Sequence, residues 1–129
     1  MATYIDKSVK THVQRIQDFT WPENEYECIV GVWSLCYLGY QDRCRFISKA
    51  LDALKEGGHI VLFEPTLEKD EPQFERPHSN KEQQMIVRSR DSYIFFFKEF
   101  GLSKFPMITY PKFDVCNEAM TAFLLRKEI

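Results

Sequence analysis

The side chain with the clearest chemical potential closes a short apolar run: Glu64 follows His59-Ile60-Val61-Leu62-Phe63. Ligands of α/β sheets gather beyond the carboxyl ends of the strands, so a carboxylate there is placed to act as a general base. A solvated or helix-capping glutamate is the alternative at the same position. His12, His59 and His78 are scattered, with no carboxylate or cysteine at a recognisable catalytic or ligand spacing. No metal is expected. Cys28, Cys36, Cys44 and Cys116 form no C-x-x-C pair, which argues against zinc and a disulfide framework and for reduced thiols packed in a core. Gly31, Gly39, Gly57, Gly58 and Gly101 are the glycines, and no two of them form G-x-G. These 129 residues therefore hold no glycine-rich turn of the kind that lets a backbone close on a cofactor.

The elements that must position these residues follow from periodicity. Residues 12–16, His-Val-Gln-Arg-Ile, alternate polar and apolar and suit a half-buried strand. After the polar turn Pro22-Glu23-Asn24-Glu25, residues 26–33 form a largely apolar run, the mark of a strand buried on both faces. Between Gln41 and Leu54, Phe46, Ile47, Ala50, Leu51 and Leu54 recur at helical spacing. Gly57-Gly58 supplies a left-handed stop, and the run 59–63 forms the next strand, which together predict a right-handed βαβ crossover with a parallel pair. Residues 66–80 are charged and carry Pro72 and Pro77, as an exposed connection would. A helix is expected over 81–100 with Met85, Ile86, Tyr93, Phe96, Phe97 and Phe100 inward, and late strands near 106–110 and 120–125.

Composition bounds the class. With 44% hydrophobic and 28% charged residues, the length suits one domain with one core, spanning 1–129. A net charge of −2 supplies no field for phosphates, which excludes nucleic acid as a direct ligand. The apolar runs are far shorter than the roughly 20 residues of a membrane helix, and no signal-peptide pattern opens the chain. An intracellular, cytoplasmic protein is expected.

Residues 17–33, Gln-Asp-Phe-Thr-Trp-Pro-Glu-Asn-Glu-Tyr-Glu-Cys-Ile-Val-Gly-Val-Trp, resemble a stretch of the protein alpha-N-terminal methyltransferases, which are class I S-adenosylmethionine-dependent enzymes. The resemblance continues through the helix exit Leu54-Lys55-Glu56-Gly57-Gly58 to Ala122-Phe123-Leu124-Leu125-Arg126. It implies an incomplete Rossmann-like α/β fold, strands 3 to 7 of a sheet ordered 3-2-1-4-5-7-6, mostly parallel and ending in an antiparallel hairpin. It places Ile16 and Gln17 on the adenine side of an S-adenosyl-L-methionine site, and Val32 and Trp33 beside cofactor and substrate. Ordinary strand-end packing is the alternative for Ile16, Val32 and Trp33.

The same resemblance shows what is substituted. Trp33 matches the family's substrate Trp, while Tyr37 stands at its His, Pro65 at its Asn, and Gln83 opens the segment where Asp-Ser-Ser-Val-Thr-Arg would begin. Tyr37 and Trp33 are thus the candidate substrate contacts, and Gln83 cannot accept a proton. The expectation is a non-catalytic methyltransferase-like subunit, with one half of a split methyltransferase as the alternative. Without strands 1 and 2, residues 27–33 form an apolar sheet edge that invites strand addition, so another protein chain or a second copy is expected to cover it.

Overall fold

The computed structural model describes residues 12–78, 84–102, 105–112 and 118–127. Strand β1 (Tyr26–Val32) leads through a 3-10 turn at Leu35–Tyr37 into helix α1 (Tyr40–Ala53) and then the long strand β2 (Leu54–Thr66). Short strands β3 (Glu75–Pro77) and β4 (Ile86–Arg88) precede helix α2 (Arg90–Lys98), and β5 (Met107–Tyr110) and β6 (Ala119–Arg126) finish the sheet.

The expected βαβ unit is present: β1 and β2 run parallel, with Val30 opposite Val61 and Val32 opposite Phe63. Helix α1 forms because Phe46, Ile47, Ala50 and Ala53 fall on one stripe and bury it. It ends at Ala53, earlier than the glycine pair, whose use is different. Gly57 holds φ +77°, and a Cβ on Gly58 would stand 2.8 Å from the Lys55 carbonyl and 3.0 Å from the Glu27 carbonyl, so both are needed where the chain turns tightly into β2 beside β1.

β2 is the hub. On its other side β6 pairs antiparallel over Thr66–His59, and β5 pairs antiparallel with β6, giving the order β1-β2-β6-β5 expected for the last four strands of the fold. β4 joins β2 in parallel beyond the end of β1, at Thr66 opposite Arg88, and β3 pairs antiparallel with β4. The α/β Rossmann-like class stands, with three of the five pairings antiparallel among the described residues.

Other expectations are corrected as well. Residues 12–16 form no strand: Val13 is fully exposed, no strand lies alongside among the described residues, and the Arg15–Asp18 ion pair at 3.0 Å favours the 3-10 turn found at Ile16–Asp18. The long helix begins only at Arg90, because Ser89 is extended and its hydroxyl caps the Ser92 N–H at 3.0 Å. Upstream of it, Ile86, Val87 and Arg88 form β4; residues 81–83 lie outside the described residues. The connection after β2 is not wholly exposed, since Leu67 and His78 are buried and β3 pairs within it; 79–80 lie outside the described residues.

The two faces of the sheet differ. Ile60 and Leu62 of β2 and Phe123 and Leu125 of β6 are buried under Phe46, Ile47 and Ala50 of α1 and Tyr93, Phe96 and Phe97 of α2. Aromatic rings knit this layer, with the Phe123 centroid 5.3 Å from those of both Phe97 and Tyr93. The alternate residues face the other way, and there Val30, Val32, Leu124, Ile108 and Tyr110 are exposed, so the expectation of a strand at 26–33 buried on both faces is corrected: no helix lies over its second face among the described residues. Cys36 is the one described cysteine that is fully packed; Cys28 is exposed on β1, Cys44 is half-buried, and Cys116 lies outside the described residues.

Candidate functional site

The turn that follows β1 is held from several sides. Trp33 takes φ +52°, a left-handed conformation that costs a non-glycine residue roughly 1–2 kcal/mol. Its N–H donates to the Phe63 carbonyl at 2.8 Å, extending the β1–β2 pairing by one residue, and its indole Nε1–H points to Met120 Sδ at 3.4 Å. Strain of this kind persists only where the surroundings over-determine it.

Glu64 provides much of that determination. Its side chain is wholly buried, and Oε1 accepts the backbone N–H groups of Ser34 at 3.0 Å and Leu35 at 2.7 Å, so it caps the start of the 3-10 turn. Oε2 is buried with no hydrogen-bond partner. Burial pushes the carboxyl up to about 7, against the opposing pull of the Leu35, Ser34 and Cys36 N–H groups and the Arg88 charge. Arg88, almost fully buried, donates from Nη1 to the Leu35 carbonyl at 3.2 Å and from Nη2 to the Leu38 carbonyl at 3.1 Å. Arg43 of α1 donates to the Leu38 carbonyl at 3.0 Å as well. Two buried side chains, Glu64 and Arg88, thus fasten the N–H end and the C=O end of one turn. Tyr37 on that turn is 47% exposed and Trp33 is half-buried, while Pro65, next to Glu64, is buried.

Ile16 and Gln17 lie elsewhere. With Trp21, Arg45, Phe46 and Lys49 they line a cleft of about 240 Å³ between the 3-10 turn at 16–18 and α1. Val32 and Trp33 do not line it. The residues assigned to the two sides of a cofactor therefore do not share this cleft. Gln83 lies outside the described residues.

A second polar cluster escaped the sequence reading because its members are distant in the chain. Arg76 of β3 makes a two-pronged pair with buried Glu118, at 2.7 and 3.0 Å, and a further bond to Glu71 at 2.7 Å. His78 Nε2 stands 3.8 Å from Glu118. The hydrogen bond from Arg76 holds the Glu71 carboxyl below its ordinary range, and Glu118 holds the guanidinium charged. Only the charged stretch 66–80 hinted at it. Among the described residues no group of His, Cys, Asp and Glu is arranged to hold a metal ion.

A cofactor of the S-adenosylmethionine type needs a glycine cradle at the carboxyl ends of the strands. Gly57 and Gly58 sit at the opposite end, where β2 starts, and a Cβ on Gly31 would lie 2.8 Å from Leu62 Cδ2, so that glycine serves strand-to-strand packing. The described residues supply no such cradle.

Comparison with known proteins agrees with the fold. The chain is 29% identical over 98 residues to alpha N-terminal protein methyltransferase 1 of Dictyostelium discoideum, an alignment covering 76% of this chain and 34% of that protein. A SAM-dependent methyltransferase from Leishmania major superposes with a TM-score of 0.67 at 24% identity, over 84% of this chain and 42% of that one. The Burkholderia thailandensis 1,6-didemethyltoxoflavin-N1-methyltransferase, solved with S-adenosylhomocysteine, gives 0.68 at 11% identity over 88% and 48%. The chain thus spans less than half the length of each of these relatives. The family model of AdoMet dependent proline di-methyltransferases matches residues 1–109, and the chain belongs to that family.

Proposed function

We propose that this chain is a methyltransferase-like subunit that does not transfer methyl groups by itself and serves as a scaffold in a larger assembly, docked through residues 27–33. The observation that carries this reading is β1: among the described residues it pairs with β2 alone, and Val30 and Val32 are 60% and 65% exposed. An apolar strand with one unpaired edge is a template for another strand. The partner is another protein chain or a second copy, with no nucleic acid and no membrane, in the cytoplasm; among the described residues no helix is long and apolar enough to span a bilayer. Loss of independent chemistry is supported by Tyr37 and Pro65 at the family's His and Asn positions.

A second reading, half of a split S-adenosylmethionine-dependent protein methyltransferase, is favoured by two retained features. Gln17 lines a cleft on the adenine side of the resemblance, and Trp33 keeps the family's residue. Titration calorimetry with S-adenosyl-L-methionine separates the two. The scaffold reading expects no binding by the chain alone or with its partner. Micromolar binding by the isolated chain overturns it, and binding that appears only with the partner establishes the split enzyme. A monodisperse, folded monomer with no tendency to associate removes the docking edge from both readings.

A further inference from the structure

The open face of the sheet has a chemical polarity that the edge at 27–33 alone does not show. The strand registers set its side chains in rows across β1, β2 and β6. At the amino end of β1 the row is Cys28–His59–Arg126. The rows that follow, Val30–Val61–Leu124 and Val32–Phe63–Ala122, are apolar throughout, and Ile108 of β5 extends the second of them. No Asp or Glu stands in any of these rows. The Arg126 side chain is exposed beside Gly57 and has no ion pair among the described residues. The chain thus shows solvent an apolar slab with a cation at one end, although its net charge is −2.

Dimensions and charge together limit what can lie on this slab. Four strands about 4.8 Å apart span roughly 14 Å from first to last, and a helix is about 10 Å across, so the face is wider than one helix and takes two side by side. The covered face of the same sheet is filled by two, α1 and α2. A parallel pair such as β1–β2 normally carries helices on both sides. A second copy fits poorly, because its own open face brings another Arg126 and no carboxylate, which sets like charges together.

We propose that the open face is a docking surface for a pair of amphipathic helices from a different polypeptide, apolar where they meet the Val30 and Val32 rows and carrying a carboxylate that meets Arg126. The inference rests on the scaffold reading and names its partner: a helical layer with acidic flanks laid across the face, beyond a strand added at the edge.

The test uses the full chain and two synthetic amphipathic helical peptides of about 18 residues with the same leucine stripe, one flanked by glutamates and the other by lysines. Methyl NMR is expected to show the glutamate peptide shifting Val30, Val32, Ile108 and Leu124, with an affinity about fivefold above that of the lysine peptide. Long-range attraction by a net-negative chain would favour the lysine peptide, so this preference isolates Arg126. Arg126→Glu, at an exposed position, is expected to reverse the preference. Equal affinities, a preference that survives Arg126→Glu, or no binding by either peptide overturns the proposal. If Arg126→Glu does not fold, the ratio of the two affinities on the parent chain decides. Shifts of the same methyls when the chain alone is concentrated overturn it in favour of a second copy. The Val30 and Val32 amides point to the open edge, because the intervening strand position and Trp33 N–H point to β2. Shifts confined to those two amides leave the docking edge of the scaffold reading in place and overturn only the helical partner.

Discussion

The two faces of this sheet are built from the same kinds of residue and have opposite fates. Ile60, Leu62, Phe123 and Leu125 are essentially without solvent contact, because α1 and α2 both lie on their side. Val30, Val32, Ile108 and Tyr110 are 40–65% exposed, with nothing over them among the described residues. Burying a large apolar side chain stabilises by roughly 1.5–3 kcal/mol, so stability comes from the first face and contributes little from the second. Parallel α/β sheets are normally covered on both sides. One face carries the core, and the other lies open among the described residues.

The sharpest way to break the comparison is to empty the covered face. Phe123→Ala removes the ring that meets Tyr93, Phe97 and Phe105, and is expected to cost about 3–5 kcal/mol in denaturant unfolding. A cost below about 1 kcal/mol would mean the core does not sit there. Next in size is Arg76→Ala, which leaves Glu118, 2% exposed, without its two-pronged partner. Removing the forked partner of a buried carboxylate is costly, and since Arg76 itself is 23% exposed and His78 still stands 3.8 Å from Glu118 the expected loss is about 2–3 kcal/mol, read by thermal unfolding of the pair of variants Arg76→Ala and Arg76→Lys. The lysine variant is expected to recover only part of it, because a single ammonium cannot make the fork.

What was legible in the sequence follows the same division. The βαβ unit could be read because Phe46, Ile47 and Ala50 repeat at the helical period and bury one stripe, while Cys28-Ile29-Val30 is an unbroken strand-forming run; that run overstates burial, since Cys28 and Val30 are exposed. The long helix was overextended because Met85 and Ile86 continue the apolar spacing of Tyr93 and Phe97, and only the cap at Ser89 separates them. The stretch 12–16 has an alternating pattern but no strand beside it among the described residues. At the site, Trp33, Tyr37 and Glu64 could be singled out from their places after the runs that carry them. The clamp they form could not, since Glu64 reaches Ser34 and Arg88 reaches Leu35 across 30 and 53 residues of sequence, and nothing local marks either bond.

Between the two faces in size stands a pH effect that belongs to the covered one. Glu64 lies on that face, and its carboxyl moves from 4.5 when unperturbed to about 7 in the fold. The folded state therefore binds the proton more tightly than the unfolded chain. The stability that this group contributes is complete below about 4.5 and is lost as pH rises through about 7. A loss on the order of 2 kcal/mol is expected across that window in urea unfolding, and Glu64→Gln should flatten this part of the profile. A parent profile that rises over the same window would reverse the assignment.

The smallest stability effect carries the other half of the comparison. Val30→Thr with Val32→Thr keeps β-branched side chains on β1 and adds two hydroxyls on the open face, where water already reaches both positions. Unfolding of the chain alone should change by less than about 0.5 kcal/mol. Association should change far more, because a hydroxyl buried without a hydrogen-bond partner under an incoming layer costs what an exposed one does not. Sedimentation across a concentration series, alone and with a captured partner, is expected to show binding weakened at least about tenfold, equivalent to about 1.4 kcal/mol. If the double variant unfolds as readily as Phe123→Ala while binding is untouched, the open face is part of the fold's own core and the contrast between the two sides fails. If stability holds and association drops, residues 27–33 are where the second layer begins.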